Sequence, residues 1–582
     1  MSDTGTPTPS ATGAISADAV IQEALAAFNT GNIPRAEQLF RAALAAAPGD
    51  LRAVHGIGVS LHRSGRNADA IALLAPYVEK GALLESTLLL GQLYSDASDL
   101  TRAMICFKTV LKRLPTNYPA AMGLASVKER LGDKPGAREC YRIAMEGTPN
   151  DIAAAVKFTN ANWVKDPAGG VAIMERLLST AGEDWGRRAQ ILETLILQKE
   201  WWERMRRGLM PYHATDIGEL FYKYAADYVK DYEQTSLKRL NGPDAATARL
   251  SLGYARFVQG DRLGAEPLLR DNERARGNIL DCIRFQPGFY DELRRDQLPE
   301  ITAGLPDSYL LTPLVHDPAG VAYLSCSQTY FTAFAMPMLV SLRDQAPGTA
   351  VHVHIMDATR QEAEAATVFC DRLKLRFAVS VERPGFTAND MNARGYYHAV
   401  RFIRFYQHLL AYECPLWMMD VDALFNRDPA AMFDQLKGKD VAMRVRPGRL
   451  EPWNQFNACI VGAGTTTPSL EYFRLMAAYI GRFFREKQLR WGIDQLVMYG
   501  VYADMADRGQ APTLAFLGEP EIDYDYRDDG FVWCNSGAAK FRHLQRIENP
   551  ASLPAANFEG NRFVEVFERY WKTTQDILRK TG

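Results

Sequence analysis

Hydrophobic residues follow two different patterns in the two halves of this 582-residue chain. Up to about residue 305 they recur at helical spacing, which predicts a long series of amphipathic helices. Beyond Pro306, short apolar runs such as 351–355 alternate with helical segments such as 361–372. This β-α-β-α-β order predicts an α/β domain with a mostly parallel sheet. The chain is therefore expected to be multidomain, all-α first and α/β second.

The helical half contains an internal repeat with a period near 34 residues. Gly31 and Gly65 are 34 positions apart, and the same offset joins Phe107 to Tyr141. In such a repeat, small residues let two helices approach closely, an aromatic side chain fills the space between hairpins, and proline ends the second helix. The pattern resembles the tetratricopeptide repeat and predicts a helical solenoid over residues 16–185.

The resemblance implies a superhelix whose concave face recognises a protein or a glycan-bearing partner. A spacer or dimerisation arm is the alternative. Residues 186–305 are predicted to form a helical extension with one further repeat-like hairpin near 245–275. Residues 1–15 are rich in Ser, Thr, Pro and Gly and are predicted to form a disordered tail.

An acidic pair ends the apolar run 417–425 of the second half. If the run is one buried strand, Asp420 and Asp422 point to the same side of the sheet. Open α/β sheets bind ligands beyond the carboxyl ends of their strands. Paired carboxylates suit a hard divalent cation that bridges to a diphosphate. The pair predicts a Mn²⁺ or Mg²⁺ site, although such pairs also arise by chance, as at Asp523 and Asp525.

Other polar residues follow or precede predicted elements in the same half. They are Ser325 and Tyr330 after the first strand, Arg404 on a helix, Asn457 at a strand start, the dipeptide Asp494-Gln495, and Lys540 after a glycine turn. Together with the acidic pair, this ordered set resembles the nucleotide-sugar-dependent glycosyltransferases of the GT-A fold. The closest resemblance is to the retaining enzymes of glycosyltransferase family 8. It covers about residues 320–545 of an expected domain at 310–582.

The resemblance assigns a role to each of these residues. It implies that Ser325 and Tyr330 contact the nucleoside, Arg404 reaches the nucleotide side, and Asp420 and Asp422 hold the metal ion. It further implies that Asn457 contacts the donor sugar, that Asp494 and Gln495 lie beneath the sugar ring as the catalytic pair, and that Lys540 binds the leaving diphosphate. The residue at the Gln495 position is not a carboxylate, so retention by front-face attack is expected.

Two residues depart from the family pattern. Cys534 occupies the place of a histidine that serves as third metal ligand, and Cys459 replaces a glycine. A thiolate is a poor ligand for Mn²⁺ or Mg²⁺. The third ligand is therefore missing or supplied by Asp525, Asp528 or Asp529. The departures leave open that metal binding is weak or that the domain no longer turns over.

The expected function is metal-assisted transfer of a sugar from a nucleotide-diphosphate donor, expected to be a UDP-sugar, to a hydroxyl acceptor of a protein or glycan. One alternative is an inactive repeat scaffold that binds a nucleotide sugar or a partner protein. A sugar nucleotidyltransferase is another, but no Gly-rich basic loop follows the first strand to cradle a triphosphate.

Composition limits the partners and the location. A formal net charge of -2 gives no overall attraction to nucleic acid. No apolar stretch approaches the roughly 18 residues that a transmembrane helix needs, and residues 1–15 lack the features of a signal peptide. The eight scattered cysteines form no CxxC pair and predict reduced, buried thiols of a cytoplasmic protein. His352 and His354 share one strand face and are predicted to be core residues, not metal ligands.

Overall fold

The computed structural model describes residues 16–79, 83–131, 133–163, 165–209, 217–220, 222–273, 277–383, 391–447, 449–535 and 562–579. The chain forms two compact units, and the boundary between them follows Ala161. Among the described residues, no helix is long and apolar enough to span a bilayer.

The first unit consists of helices that pair into successive hairpins. They are α1 Ala17–Asn29, α2 Ile33–Ala46, α3 Leu51–Arg63, α4 Asn67–Glu79, α5 Leu84–Asp96, α6 Leu100–Arg113, α7 Tyr118–Arg130, α8 Lys134–Gly147 and α9 Ile152–Asn162. Gly31 and Gly65 turn the chain between paired helices with φ of 80° and 74°, a conformation that glycine adopts without strain. Pro48 follows the end of α2 and Pro115 the end of α6, as the repeat pattern predicts.

The repeated aromatic residue fills the space that the repeated small residues leave. Phe107 of α6 is buried between α5 and α7. A Cβ atom at Gly91 would lie 2.9 Å from the Phe107 ring, and one at Gly123 would lie 2.5 Å from it. Phe40 stands in the same relation to Gly56, at 2.5 Å. The packing role that the sequence predicts for these positions is therefore confirmed.

Replacing Gly123 with alanine is expected to lower the free energy of unfolding by about 1–3 kcal/mol, because the added methyl group forces the Phe107 ring out of its place. Urea unfolding followed by circular dichroism measures the change. Ser126→Ala is the control, since Ser126 is exposed on the same helix α7 and its loss is expected to shift stability by less than about 0.5 kcal/mol. Equal stability of the two variants would contradict this packing.

The second unit begins with further helices. They are α10 Pro167–Thr180, α11 Trp185–Arg206, α12 Ala226–Arg239, α13 Ala245–Val258, α14 Arg262–Arg270, α15 Pro287–Leu293 and α16 Leu298–Ile301. The hairpin predicted near 245–275 is present as α13 and α14, where a Cβ atom at Gly253 would lie 2.6 Å from Leu269. Phe257 packs against Tyr499 of the α/β part at 5.1 Å between ring centroids. The helical extension and the α/β part therefore share one core.

The α/β part is built on an eight-stranded sheet with the order β1-β4-β3-β2-β5-β8-β7-β9. Its strands are β1 Ser308–Leu310, β2 Val321–Ser327, β3 Ala350–Met356, β4 Arg376–Glu382, β5 Leu416–Met419, β7 Val441–Val445, β8 Phe456–Ala463 and β9 Leu514–Phe516. A small sheet with the order β10-β11-β6 contains β6 Ala423–Phe425, β10 Ile522–Asp523 and β11 Val532–Cys534. The pairs β2–β3, β3–β4 and β2–β5 are parallel, whereas β8 is antiparallel to its neighbours.

Helices alternate with these strands, as the sequence predicts. They are α17 Gln328–Tyr330, α18 Met336–Gln345, α19 Arg360–Arg372, α20 Met391–Ala411, α21 Ala430–Phe433, α22 Thr467–Arg485, α23 Ile493–Asp507 and α24 Arg562–Arg579. Strands β2 and β3 are buried along their whole length, because helices cover a parallel sheet on both faces. The predicted fold class, a helical repeat solenoid followed by an α/β domain with a mostly parallel sheet, is confirmed.

His352 and His354 lie in the core of the sheet, as predicted. Both are fully buried, and both rings hydrogen-bond to the hydroxyl of Ser380 at 2.8 Å. Burial lowers the pKa of each histidine well below its ordinary value, so both rings are neutral.

The apolar run 417–425, which contains the acidic pair, is not one continuous strand, contrary to the prediction. Strand β5 ends at Met419 in the large sheet, and β6 begins at Ala423 in the small one. Residues 420–422 connect the two sheets. The backbone N–H of Asp420 donates to the Cys459 carbonyl at 2.8 Å, and the Asp422 carbonyl accepts from the N–H of Asn535 at 3.1 Å. The apolar pattern on both sides hides this crossing, since both strands are buried.

Candidate functional site

A pocket of about 400 Å³ lies where strands of the large sheet end. Leu324 of β2 is in register with Met419 of β5, and Met419 is in register with Ile460 of β8. The carboxyl ends of β2 and β5 therefore meet the amino end of β8. Seven of the predicted site residues line this pocket: Ser325, Tyr330, Asp420, Asp422, Asn457, Asp494 and Gln495.

The loop after β2 is fixed by the end of β3. The hydroxyl of Ser327 accepts from the backbone N–H of Tyr330 at 3.3 Å. Asp357 follows β3 with a φ of 60°, and its carboxylate accepts from the N–H of Gln328 at 2.8 Å and from the hydroxyl of Tyr397. These bonds fix the backbone of residues 327–330, which places Tyr330 at the pocket.

The two carboxylates of the acidic pair differ in exposure. The Asp420 side chain is 32% exposed, whereas Asp422 is buried. Both line the pocket although their backbone leaves one sheet for the other. Two carboxylates beside an open space form a partial ligand set for a hard cation, whose remaining positions water and diphosphate oxygens can fill. The residues fit the expected Mn²⁺ or Mg²⁺ to this extent.

Arg401 on α20 connects Asp420 of the acidic pair with Asp494 of the predicted catalytic pair. Its guanidinium donates to Asp420, to Asp494 at 3.1 Å, and to the carbonyl of Ala458 at 3.3 Å. Burial works against its charge, but the two carboxylates more than offset this and hold the pKa of Arg401 above the ordinary arginine value. Arg401 therefore remains a cation in a buried place.

Arg404 does not line the pocket, although the family resemblance predicted that it reaches the nucleotide. It lies one helical turn beyond Arg401 and is buried in an ion pair with Glu382. It also donates to Gln407 at 2.7 Å and to the carbonyl of Pro306. Spacing along the sequence placed an arginine before the acidic pair, but it did not show which face of α20 the pocket occupies.

The residues assigned to the donor sugar also line the pocket. Asp494 lies in the first turn of α23 after Gly492, whose φ of 86° favours glycine. One Asp494 oxygen accepts from the N–H of Gln495 at 3.0 Å. The Asn457 amide accepts from the N–H of Cys459 at 2.8 Å and donates to the hydroxyl of Tyr524 at 3.3 Å.

Three further pocket residues that the sequence did not single out carry polar groups. Arg401, Arg446 and Tyr524 line the space beside the predicted residues. Arg446 donates to the side-chain oxygen of Gln495 at 3.2 Å. Arg446 directly follows β7, and Tyr524 directly follows β10. The sequence analysis did not predict either strand, so no strand end pointed to these two residues.

The two residues that depart from the family pattern are in contact. The sulfur atoms of Cys459 and Cys534 lie 3.2 Å apart, and both side chains are buried. This hydrogen bond, together with burial, raises the pKa of the Cys459 thiol well above its ordinary value.

The aspartates considered as substitutes for the third ligand do not line the pocket. Asp528 forms an ion pair with Arg562, and Asp529 lies 3.5 Å from Arg527. In the described part of the chain, no group of three His, Cys, Asp or Glu side chains is arranged to hold a metal ion. Lys540 lies outside the described residues, so its predicted contact with the diphosphate stays a prediction.

Comparison with known families assigns the two halves. A tetratricopeptide repeat model matches residues 21–82. A model described as nucleotide-diphospho-sugar transferase matches residues 386–550, the segment with Arg401, the acidic pair, Asn457, Asp494 and Gln495. The C-terminal part is a nucleotide-diphospho-sugar transferase domain. The N-terminal part contains tetratricopeptide repeats, which the sequence analysis also predicted.

Solved structures similar to this chain include tetratricopeptide repeat proteins. One from Parabacteroides merdae is 14% identical, with 46% of this chain and 96% of that chain covered and a TM-score of 0.32. PilF of Pseudomonas aeruginosa is 15% identical, with 39% of this chain and 93% of that chain covered and a TM-score of 0.30. No curated protein matches this chain significantly. The narrower assignment of the transferase domain to glycosyltransferase family 8 stays a prediction.

Proposed function

We propose that the transferase domain moves a sugar from a UDP-sugar to a hydroxyl acceptor, assisted by Mn²⁺ or Mg²⁺ and with retention at the anomeric carbon. The observation that carries this proposal is the meeting of Asp420, Asp422, Asp494 and Gln495 in one pocket at the carboxyl ends of β2 and β5. Ligands of open α/β sheets bind at such an edge. The match to nucleotide-diphospho-sugar transferases supplies the reaction class.

Asp420 and Asp422 would hold the cation, which supplies positive charge for the leaving diphosphate. The chain's own residues orient the rest of the donor. Ser325 and Tyr330 lie on the wall proposed for the nucleoside, where the Tyr330 ring offers a flat apolar surface. Asn457 and Asp494 present hydrogen-bonding groups to the sugar on the other side. Holding the donor in this way contributes by positioning the reacting groups.

Arg401 has a positioning role in this proposal. Its bonds to Asp420 and Asp494 fix the positions of both carboxylates in the pocket and place a positive charge between them. The ion pair also makes Asp494 a weak nucleophile, since a carboxylate engaged by a guanidinium has its charge shared. Gln495 cannot form a stable covalent intermediate as a carboxylate would. This supports front-face attack by the acceptor hydroxyl and the proposed place in glycosyltransferase family 8.

The repeats of the first unit are proposed to recognise the acceptor, either a protein or a glycan-bearing partner. Stacked helical hairpins offer extended surfaces for peptides and proteins and rarely carry chemistry themselves. Such recognition would supply the acceptor selectivity that a small donor pocket does not.

A second candidate is an inactive scaffold that binds a nucleotide sugar without transferring it. The contact between Cys459 and Cys534 favours it, because these thiols occupy the places of a glycine and of a metal-binding histidine in the resembling family. Nucleotide binding without any turnover would be its signature.

UDP release from a panel of UDP-sugars in the presence of Mn²⁺ tests the proposal. Wild type is expected to hydrolyse at least one UDP-sugar slowly without acceptor. Asp494→Asn is expected to lower kcat/KM about 10²-fold, because the donor sugar loses a charged hydrogen-bond acceptor. Asp507→Asn is the control, since Asp507 lies on the same helix α23 and pairs with Arg262 outside the pocket.

Binding of UDP-sugars with no release of UDP in wild type would contradict the proposed transferase activity and favour the scaffold. Equal kcat/KM values of Asp494→Asn and Asp507→Asn would contradict the proposed contact of Asp494 with the donor sugar.

A further inference from the structure

Arg446 is a pocket cation for which the described residues provide no anionic partner. It lies just beyond the end of β7, and its guanidinium has one hydrogen-bond acceptor there, the side-chain oxygen of Gln495 at 3.2 Å. Its Nε atom is shielded from solvent and has no acceptor. Arg401, the other pocket arginine, by contrast binds two carboxylates.

The surroundings of Arg446 increase the cost of this unpaired charge. Two further arginines, Arg444 and Arg449, lie near it, and Arg444 also has a shielded Nε atom without an acceptor. Burial, with these two arginines, lowers the pKa of Arg446 to about 10. Arg446 is only partly exposed at the pocket, and a charge that is largely shielded from water is normally paired with an opposite charge. The missing anion is therefore expected to arrive with the substrate.

The position of Arg446 indicates which part of the substrate carries that anion. The diphosphate is assigned to Asp420 and Asp422, whereas the hydrogen bond of Arg446 goes to Gln495, a residue assigned to the sugar. A guanidinium presents a planar fork of N–H groups that matches a carboxylate through two parallel hydrogen bonds. Neutral sugar hydroxyls would leave the charge uncompensated.

We propose that Arg446 binds the carboxylate of an acidic sugar that lies over Gln495, so that the substrate pair includes a hexuronic acid or a similar carboxyl sugar. This inference rests on the proposed function, because it uses the sugar wall of the same pocket. The carboxyl sugar is either the donor sugar or the acceptor. A purely structural role, in which Arg446 only orients Gln495, predicts no preference for charge.

Calorimetric titration in the presence of Mn²⁺ tests the inference with two pairs of donors that differ only at C6. The pairs are UDP-glucuronic acid with UDP-glucose, and UDP-galacturonic acid with UDP-galactose. Wild type, Arg446→Gln and Arg446→Lys are compared. Arg427→Gln is the control, because Arg427 is exposed and lies outside the pocket. UDP alone is titrated into each variant as well.

If the donor sugar carries the carboxylate, wild type and Arg427→Gln are expected to bind one of the two acidic UDP-sugars about tenfold or more tighter than the matching neutral UDP-sugar. Arg446→Gln loses this preference while its affinity for UDP stays within about threefold, and Arg446→Lys keeps part of it. If the acceptor carries the carboxylate, wild type is expected to bind acidic and neutral UDP-sugars with similar affinity. Methyl glucuronide or methyl galacturonide then binds the UDP-loaded wild type tighter than the matching methyl glucoside or galactoside, and Arg446→Gln removes the difference.

Two results would overturn the inference while UDP still binds. One is the absence of any charge preference for donors and acceptors in wild type. The other is a preference that persists in Arg446→Gln. If UDP itself fails to bind to wild type with Mn²⁺, the proposed function fails first and this inference falls with it. The two failures are therefore distinguishable.

Discussion

Replacing Asp422 with asparagine is expected to lower kcat/KM for sugar transfer about 10³-fold, equivalent to about 4 kcal/mol of transition-state stabilisation. Asn keeps the shape of the side chain but removes a negative charge from the pair that would hold the cation. Because Asp422 is buried beside the pocket, water does not replace that charge at low cost. Part of the lost rate is expected to return at high Mn²⁺ concentration.

Asp525→Asn provides a matched control for this variant. Asp525 belongs to the other Asp-x-Asp sequence of the same domain, 523–525, but it is exposed and outside the pocket. Initial rates at a series of donor and Mn²⁺ concentrations measure both variants. Similar rates for Asp422→Asn and wild type would contradict a role of Asp422 in metal binding.

Replacing Arg404 with methionine is expected to lower the free energy of unfolding by about 3–5 kcal/mol. The change removes the cation that pairs with the Glu382 carboxyl group in the core; among the described residues, the Tyr396 hydroxyl still donates to that group and the His354 ring lies 3.8 Å from it. Burial already raises the pKa of Glu382, and Arg404 is the group that most opposes that rise. Without Arg404, Glu382 is expected to bind a proton at neutral pH.

A double variant separates the ion pair from the packing around it. Arg404→Met with Glu382→Leu is expected to recover most of the lost stability, since buried ion pairs are often replaceable by apolar residues of similar size. Arg360→Met is the control, because Arg360 and its partner Glu364 are exposed and worth less than about 1 kcal/mol. Urea unfolding followed by tryptophan fluorescence measures all four proteins.

Titration of UDP into the Arg404→Met variant, added to the unfolding measurement, decides between Arg401 and Arg404 of α20. A variant Arg404→Met that keeps native stability but binds UDP weakly would show that Arg404 contacts the nucleotide after all. The structure predicts the opposite result: replacing Arg404 lowers the stability of the protein, whereas replacing Arg401 weakens substrate binding.

The helical repeats and the polar residues at the strand ends could be predicted from the sequence because they depend on local requirements. Glycine at tight turns, aromatic residues between hairpins and proline after helices are local requirements, and they recur in phase. Ser325 and Asp420 lie near the carboxyl ends of buried parallel strands, and Asn457 lies at the amino end of the antiparallel strand β8. The register of β2, β5 and β8 brings these ends together, so the three residues line one pocket.

Features that depend on tertiary contacts were not predictable. An apolar pattern cannot distinguish one strand from two that belong to different sheets, so the crossing at 420–422 was missed. Helical spacing places Arg401 and Arg404 on α20 but does not show the face that each occupies. The contact between Cys459 and Cys534 joins positions on two strands of different sheets. Only the folded chain brings them together.

Titration of UDP into wild type and Asp422→Asn, each with and without Mn²⁺, tests the central claim most directly. Wild type is expected to bind UDP much more tightly with Mn²⁺ than without it, and Asp422→Asn is expected to lose this dependence. UDP binding that is indifferent both to the metal ion and to the substitution would contradict a metal-assisted transferase at Asp420 and Asp422.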